Sequence, residues 1–304
     1  MSAPDFVHEA LLYRDDAGFL DGTVPFLLDG IQAGETVFAL VRPESIDRLR
    51  RALGADARGV RFLDMSQVGR NPARIIPALR ALVESKNRPA RGIGEPTWAG
   101  RTEDETVEAQ LHEGLLNVAF EDTRLRLRCP IDASALPATV LDAAGHSHPV
   151  VIDGTGKPSV TFDPKQAHLT FAAALPAQDS VSDVEHFGLD DLPDLRDLVA
   201  VRAGAFGLSR DRALDLTLAT NEVVTNSICH GGERGTLRLW ADPGAVVCEV
   251  SDSGQIADPL VGRTVPAPSV PGGRGLWLAN QLCDLVQIRS SAVGTMVRLH
   301  MRRP

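Results

Sequence analysis

The sequence predicts an α/β protein in two parts, and three observations carry that reading. Through about residue 150, short apolar runs alternate with segments of helical spacing; between about 155 and 187 the periodicity stops; beyond it, two long helical patterns precede a series of strand-like runs. The expected division is a first domain at 1–155, a linker at 156–186 and a second domain at 187–304. A chain of 304 residues has room for both.

In the first domain, 9–13 reads as a short apolar strand and 18–30 as a helix, with Phe19, Val24, Phe26 and Leu27 at helical spacing. A compact strand at 36–41 leads to a helix at 43–53 opened by Pro43, and a strand at 60–63 to a helix at 72–84. Strands at 90–93 and 125–129 and helices at 103–119 and 136–144 complete the series. Strands separated by helices imply a largely parallel sheet covered on both faces. Gly154-Thr155-Gly156-Lys157-Pro158, Pro164-Lys165-Gln166 and a small, polar run at 172–182 break the pattern and read as linker.

The second domain opens on a strand at 187–189. Helices at 192–206 and 210–230 flank a Phe-Gly-Leu-Ser turn in which Ser209 is the expected N-cap. Strands at 235–241 and 245–251, a helix at 275–283, and strands at 285–290 and 295–301 follow. Two or three helices on one face of a mixed or antiparallel sheet are expected, with no internal repeat.

Composition excludes several function classes. Hydrophobic content of 43% and charge of 23% are ordinary for a globular protein. A formal charge of −9 argues against a general nucleic-acid or anionic-membrane binder. The alternating Arg124-Leu125-Arg126-Leu127-Arg128 reads as one solvated face of a strand. Four cysteines, at 129, 229, 248 and 283, are too sparse for a disulfide framework and form no C-x-x-C pair. The first residues show no basic stretch followed by an apolar run, and no apolar stretch approaches the ~18–20 residues that span a bilayer. A soluble cytoplasmic protein is expected.

Chemistry concentrates in the last ninety residues. Glu222, Asn226 and His230, at i, i+4 and i+8, form one stripe of a helix, with Val224 and Ile228 on the opposite side. Alone, such a stripe is an ordinary solvated face. An Asn oxygen is nonetheless a hard ligand suited to Mg²⁺, and a carboxylate one turn away can order a water or accept a hydroxyl proton. Asp252-Ser253-Gly254 follows a strand and by itself reads as a turn. From 255 to 271 four prolines (259, 266, 268 and 271) interrupt any periodicity. Gly272-Gly273-Arg274-Gly275 then opens a helix whose first N–H groups can meet phosphate oxygens, and Gly294-Thr295 precedes the final strand.

In this order and spacing the segments 221–231, 250–254, 272–277 and 294–295 resemble the N, G1, G2 and G3 boxes of the GHKL ATPases, the gyrase, Hsp90, histidine-kinase and MutL group. The resemblance implies a C-terminal GHKL (Bergerat) α/β sandwich binding ATP with Mg²⁺. It implies Asn226 as the Mg²⁺ ligand and Glu222 as catalytic base or water-orienting group. Asp252 is then the acceptor for the adenine amine, with Gly254 leaving room for the ring, and 255–271 is the lid. Gly272, Gly273, Arg274, Gly275 and Leu276 belong with the phosphates, Thr295 with the adenine edge, and His230 completes the nucleotide contacts; a solvent-facing Arg274 and an ordinary strand Thr295 are the alternatives. The family's fuller pattern has a second glycine where Gln255-Ile256 stands here, which puts the shape of the following loop in question.

A two-component histidine kinase needs a phosphoacceptor His followed by an acidic residue and Pro; His168 precedes Leu-Thr-Phe and His186 precedes Phe-Gly-Leu, and neither fits. The run from 187 onward, especially Gly254-Gln255-Ile256-Ala257-Asp258-Pro259-Leu260 and Gly275-Leu276-Trp277-Leu278-Ala279-Asn280, instead resembles actinobacterial anti-sigma-factor kinases. That likeness implies a sigma factor and a STAS-type anti-anti-sigma protein as partners, with phosphorylation on Ser or Thr. Direct nucleic-acid and membrane partners are not expected, and a homodimer is compatible with the reading. A non-catalytic protein that sequesters a sigma factor and an atypical histidine kinase are the alternatives.

The first domain resembles the MEDS sensory domains, whose fold is related to the parallel α/β RecA-like ATPases. The residues that carry this are His8 with Leu11-Leu12-Tyr13, the segments 26–35 and Gly94-Glu95-Pro96-Thr97-Trp98, 112–117, Cys129-Pro130-Ile131-Asp132 and His148-Pro149. No G-x-x-x-x-G-K-[ST] is present, so a second ATP site is not expected. His112, Cys129, His146 and His148 could meet at a metal or haem, but they match no standard metal-ligand spacing, and a structural or ligand-contact role is the favoured reading for them.

Overall fold

The computed structural model describes residues 6–83, 88–178, 181–266 and 273–304. Two compact units, Met1–Ala167 and His168–Pro304, divide the chain.

The first unit runs β1 (Phe6–Tyr13), α1 (Asp16–Gln32), β2 (Thr36–Val41), α2 (Pro43–Leu53), β3 (Val60–Asp64), α3 (Met65–Val68), α4 (Ile75–Val83), β4 (Ala90–Gly94), α5 (Glu103–Ala119), β5 (Leu125–Asp132), α6 (Ala138–Ser147), β6 (Val150–Asp153) and β7 (Thr155–Pro158). Its sheet has the order β3-β2-β4-β5-β1-β6-β7, parallel except for β7, which pairs antiparallel with β6. The expected parallel α/β arrangement is therefore present. Every residue of β2 is buried, as a strand covered on both faces must be. Phe19, Phe26 and Leu27 of α1 and Ile46 and Leu49 of α2 share one core cluster with Val37, Ala39 and Val41 of β2.

Local chemistry sets the ends of these helices. The Asp15 carboxylate accepts from Gly18 N–H at 2.7 Å to start α1, and Thr102 with Glu105 closes a capping box at α5. Two segments depart from expectation. The helix expected at 72–84 begins as a 3-10 turn, Pro72–Arg74, capped by Asn71, before α4 proper. Part of the stretch read as linker is a hairpin: Gly154 takes φ +74 in an Asp-Gly turn that folds the fully exposed β7 onto β6. The arginine alternation is only partly solvated. Arg126 is exposed, but Arg128 donates to Glu9 at 2.8 Å and lies 4.1 Å over the Phe26 ring.

The helix α7 (Gln166–Ala172) runs across the division in the chain, and the second unit continues with β8 (Asp183–Phe187), α8 (Leu192–Ala205), α9 (Arg210–His230), β9 (Gly235–Ala241), β10 (Ala245–Asp252), α10 (Arg274–Leu282), β11 (Leu285–Ser291) and β12 (Gly294–Arg302). The sheet order is β11-β12-β10-β9-β8, antiparallel throughout. Ser209 caps α9, accepting from Arg212 N–H. α8 and α10 both pack on α9, which lies against β10 and β12. Side-chain alternation along β10 separates two environments. Cys248 faces α9, where it meets the Thr220 hydroxyl, while Glu249 turns to the other face and is held by Arg298 at 2.6 Å and Arg238 at 3.0 Å across the neighbouring strands. By the same period Asp252, at the end of β10, falls on the helix side. No helix among the described residues is long and apolar enough to cross a membrane.

Candidate functional site

The C-terminal half of α9, the end of β10 and the start of α10 enclose an open cleft of about 450 Å³ in the second unit. That volume lies within the roughly 300–1,000 Å³ typical of small-molecule sites. From α9 the lining residues are Val223, Asn226, Ser227, His230 and Gly231, the i, i+3, i+4, i+7, i+8 face of one helix. Val224 and Ile228 are buried on the other side, as their spacing predicts.

Asp252 is fixed from two directions. Its Oδ2 accepts from the Ser227 hydroxyl at 2.6 Å and its Oδ1 from Gly254 N–H at 2.8 Å. Each carboxylate oxygen retains a second lone pair, so the group can still accept a hydrogen bond from the cleft. Backbone packs closely around it. A Cβ at Gly231 would lie 2.6 Å from Asp252 Oδ1, and one at Gly254 would lie 2.6 Å from His230 O and 2.7 Å from Gly231 Cα. Only glycine fits either place.

A hydroxyl relay holds the loop after β10. Ile256 N–H donates to Ser290 Oγ at 2.8 Å, Ser290 Oγ lies 2.9 Å from Thr295 Oγ1, and Thr295 Oγ1 donates to Gly254 O at 2.9 Å. With its own proton committed to Gly254 O, Thr295 receives the Ser290 proton and lines the cleft as an acceptor. Ile256, at the place of the absent second glycine, lines the cleft too. Gly294 backs this loop: φ is +137 and a Cβ there would run into the Asp252 carbonyl.

At the other side of the cleft, Gly273 takes φ +73 as the N-cap of α10, with no side chain capping the helix. Helix-start N–H groups of this kind are suited to phosphate oxygens. Gly275 presses against α9, where a Cβ would meet Asn226 Nδ2 at 2.9 Å and Glu222 Oε2 at 3.0 Å.

Asn226, His230, Asp252, Gly254, Gly273, Leu276 and Thr295 therefore converge on one cleft. Glu222 and Gly275 meet each other just behind its lining, and Arg274 is exposed on the first turn of α10. Gly272 lies outside the described residues, as does the part of the expected lid from 267 to 271. The sequence reading missed Ser227 and Ser290. Ser227 carries a signal in hindsight, since it completes the 223/226/227/230/231 face; Ser290 carries none, because only the pairing of β11 with β12 brings it to Thr295.

Two family models match the sequence. Residues 7–149 match MEDS, the methanogen/methylotroph, DcmR sensory domain. Residues 188–301 match the histidine kinase-like ATPase domain. No curated protein matches the sequence. Among solved structures, the RsbU and RsbW domains of Rv1364c from Mycobacterium tuberculosis align at 21% identity and a TM-score of 0.31 over 40% of this chain and 34% of that one, so this chain spans about a third of that length. The chain is a MEDS sensory domain followed by an antiparallel-sheet, GHKL-type histidine kinase-like ATPase domain.

Proposed function

We propose that the C-terminal domain binds ATP with Mg²⁺ in the α9–β10–α10 cleft. We propose further that it acts as a cytoplasmic anti-sigma factor of the serine/threonine-kinase kind, phosphorylating a STAS-type antagonist under control of the MEDS domain. The observation that carries the nucleotide reading is the double anchoring of Asp252 by Ser227 and Gly254 on a floor where Gly231 and Gly254 leave no space for a side chain. A fixed carboxylate beside bare backbone suits a flat heterocycle bearing an exocyclic amine. Val223, Ile256, Val261 and Leu276 supply apolar walls for the ring.

The residues present fit the rest of the nucleotide. Asn226 would hold Mg²⁺ through its side-chain oxygen, and the N-terminus of α10, opened by Gly273, would receive phosphate oxygens. When bound, ATP supplies the γ-phosphoryl group, with Mg²⁺ offsetting its charge. Glu222 is the candidate to accept the hydroxyl proton of the substrate Ser or Thr. The partners are supported by the likeness of 254–260 and 275–280 to anti-sigma kinases.

One observation favours a second reading. Glu222 sits against Gly275 rather than on the cleft lining, which suits a protein that binds nucleotide and sequesters a sigma factor without transferring phosphate. Calorimetric titration of ATP·Mg²⁺ into the full chain and into Asp252→Asn tests the site: binding that the substitution abolishes is expected, and a folded wild type that takes up no ATP would sink the reading. Phosphopeptide mapping then separates the branches. Phosphate on Ser or Thr of a partner supports the kinase, none supports sequestration, and acid-labile phosphohistidine supports an atypical histidine kinase.

A further inference from the structure

The first unit buries a second constellation of reactive side chains. His8 on β1, Glu113 on α5, Cys129 on β5 and His148 just after α6 each offer one donor atom, and these atoms all lie within 4.8 Å of one another. All four residues are buried, His148 completely. β1 and β5 are parallel neighbours with Ala10 opposite Cys129, so His8 and Cys129 share a sheet face two residues apart in register. Of the four residues that the sequence singled out, Cys129 and His148 belong to this group; His112 is buried outside it, and His146 is half-exposed with Nδ1 on Asp142 O.

The hydrogen bonds around the group fix both imidazoles in one tautomer. The Asn117 amide donates to Ser147 O at 2.8 Å, which leaves its Oδ1 facing His8 Nδ1 at 3.2 Å. His8 therefore carries its proton on Nδ1. The His148 Nδ1 lies 2.9 Å from Ala144 O, a pure acceptor, and carries its proton there too. Both Nε2 lone pairs then turn inward, 3.1 Å and 3.5 Å from the same Glu113 Oε2. His148 Nε2 has no hydrogen-bond partner among the described residues. Three acceptors confront one another, with a thiol as the one fixed donor: Cys129 Sγ is 3.4 Å from both His8 Nε2 and Glu113 Oε2. With Glu113 ionised, the three acceptors would be reconciled by a shared cation.

We infer that His8, Glu113, Cys129 and His148 form a closed four-ligand site for a thiolate-accepting divalent metal ion of the zinc type. A tetrahedron with metal–ligand bonds of ~2.0–2.3 Å has edges of about 3.3–3.8 Å. Four of the six donor separations, 3.1 to 3.5 Å, match those edges to within a few tenths of an ångström, and the other two are within 4.8 Å. Two imidazoles and a thiolate select a zinc-like ion over Mg²⁺ or Ca²⁺, which prefer oxygen alone. Donor atoms this close leave no space for a macrocycle between them.

Charge balance points the same way. As the metal–sulfur bond forms, the Cys129 thiol proton leaves to solvent; a carboxyl proton on Glu113 leaves likewise as the metal–oxygen bond forms. One thiolate, one carboxylate and two neutral imidazoles around a divalent ion sum to zero, which a buried site requires. Asn117 and the Ala144 carbonyl act as the outer partners that orient metal-binding histidines.

The test uses the full chain, stripped with a chelator and titrated with Co²⁺ in the absence of nucleotide. About one ion per chain is expected, with a thiolate-to-cobalt charge-transfer band, tetrahedral visible bands and displacement by Zn²⁺. Cys129→Ser should lose the charge-transfer band, whereas Cys229→Ser, at an exposed cysteine, should keep it. Asn117→Ala should weaken Co²⁺ roughly 10–100-fold without changing stoichiometry, which gives a graded readout if Cys129→Ser does not fold. A folded wild type that yields no thiolate band would overturn the site and leave a hydrogen-bonded quartet around a protonated Glu113. A band that survives Cys129→Ser would overturn it equally.

Discussion

The Ser227 hydroxyl donates to Asp252 Oδ2 at 2.6 Å, bridging the cleft-facing side of α9 and the end of β10 across twenty-five residues of sequence. This bond holds the carboxylate in the one orientation that also accepts Gly254 N–H. Ser227→Ala should leave the fold intact, because Asp252 is only half-buried and water can replace the lost donor. ATP affinity should fall by roughly tenfold, about 1.5 kcal/mol, as expected for a hydrogen bond to a charged group. Calorimetry with Ser227→Ala beside Asp252→Asn checks it; unchanged affinity in the serine variant would mean that the orientation is set by Gly254 alone.

Gly254→Ala should be damaging for a different reason. Its Cβ would press on His230 O and Gly231 Cα, and backbone atoms cannot swing away. Overpacking of this kind costs about 1–3 kcal/mol. Gly244→Ala supplies the contrast, since a Cβ there meets nothing within 4 Å. Thermal denaturation should show a clear loss for the first and little change for the second, and equal melting temperatures would refute the close packing of this floor.

How much of this was legible beforehand differs by element. The strand at 36–41 and the helices at 43–53 and 103–119 emerge with the bounds that their apolar spacing predicts. β7 was not legible because all four of its residues are exposed, so no hydrophobic alternation marks it. The buried quartet shows the same limit from inside. Cys129 and His148 drew notice as reactive types, but Glu113 and His8 join them only through the β1–β5 register and the packing of α5, and local spacing cannot encode that. Asn226 and Asp252 were visible as motif residues; Ser227, whose partner is remote in sequence, was not.

The first unit should carry a pH signature centred on Glu95. This carboxylate, just after β4, is buried and accepts from Arg42 N–H at 3.0 Å and Arg42 Nε–H at 3.2 Å, with Ser45 and Tyr13 nearby and Glu44 also on Arg42. Burial raises its pKa above the ordinary 4.5, and the Arg42 charge opposes this only in part. The folded state thus holds the proton more tightly than the unfolded chain. The resulting stabilisation is fully present below pH 4.5 and is lost as pH rises through the raised folded value. Glu95→Gln abolishes that titration. The melting temperature of the wild type relative to the variant should therefore fall from acid toward neutral pH, and a difference that rises or stays flat would contradict the burial argument.

Glu222 and Gly275 separate binding from chemistry. Glu222 Oε2 lies where it would be 3.0 Å from a Cβ at Gly275, just behind the cleft lining, so removing its charge leaves the adenine floor untouched. Glu222→Gln should keep ATP affinity within about twofold while partner phosphorylation drops by roughly 10²–10⁴, the usual range for a lost general base. Gly275→Ala acts on the same residue sterically. Of the atoms that its methyl meets, Asn226 Nδ2 and Glu222 Oε2 can shift, while Glu222 Cβ at 3.3 Å must give by a few tenths of an ångström, so a modest loss of stability should accompany the fall in transfer. Measuring ATP binding and phosphoryl transfer on both variants makes the comparison. Equal loss of binding and transfer would place Glu222 in nucleotide affinity, and full transfer by Glu222→Gln would remove it from the chemistry.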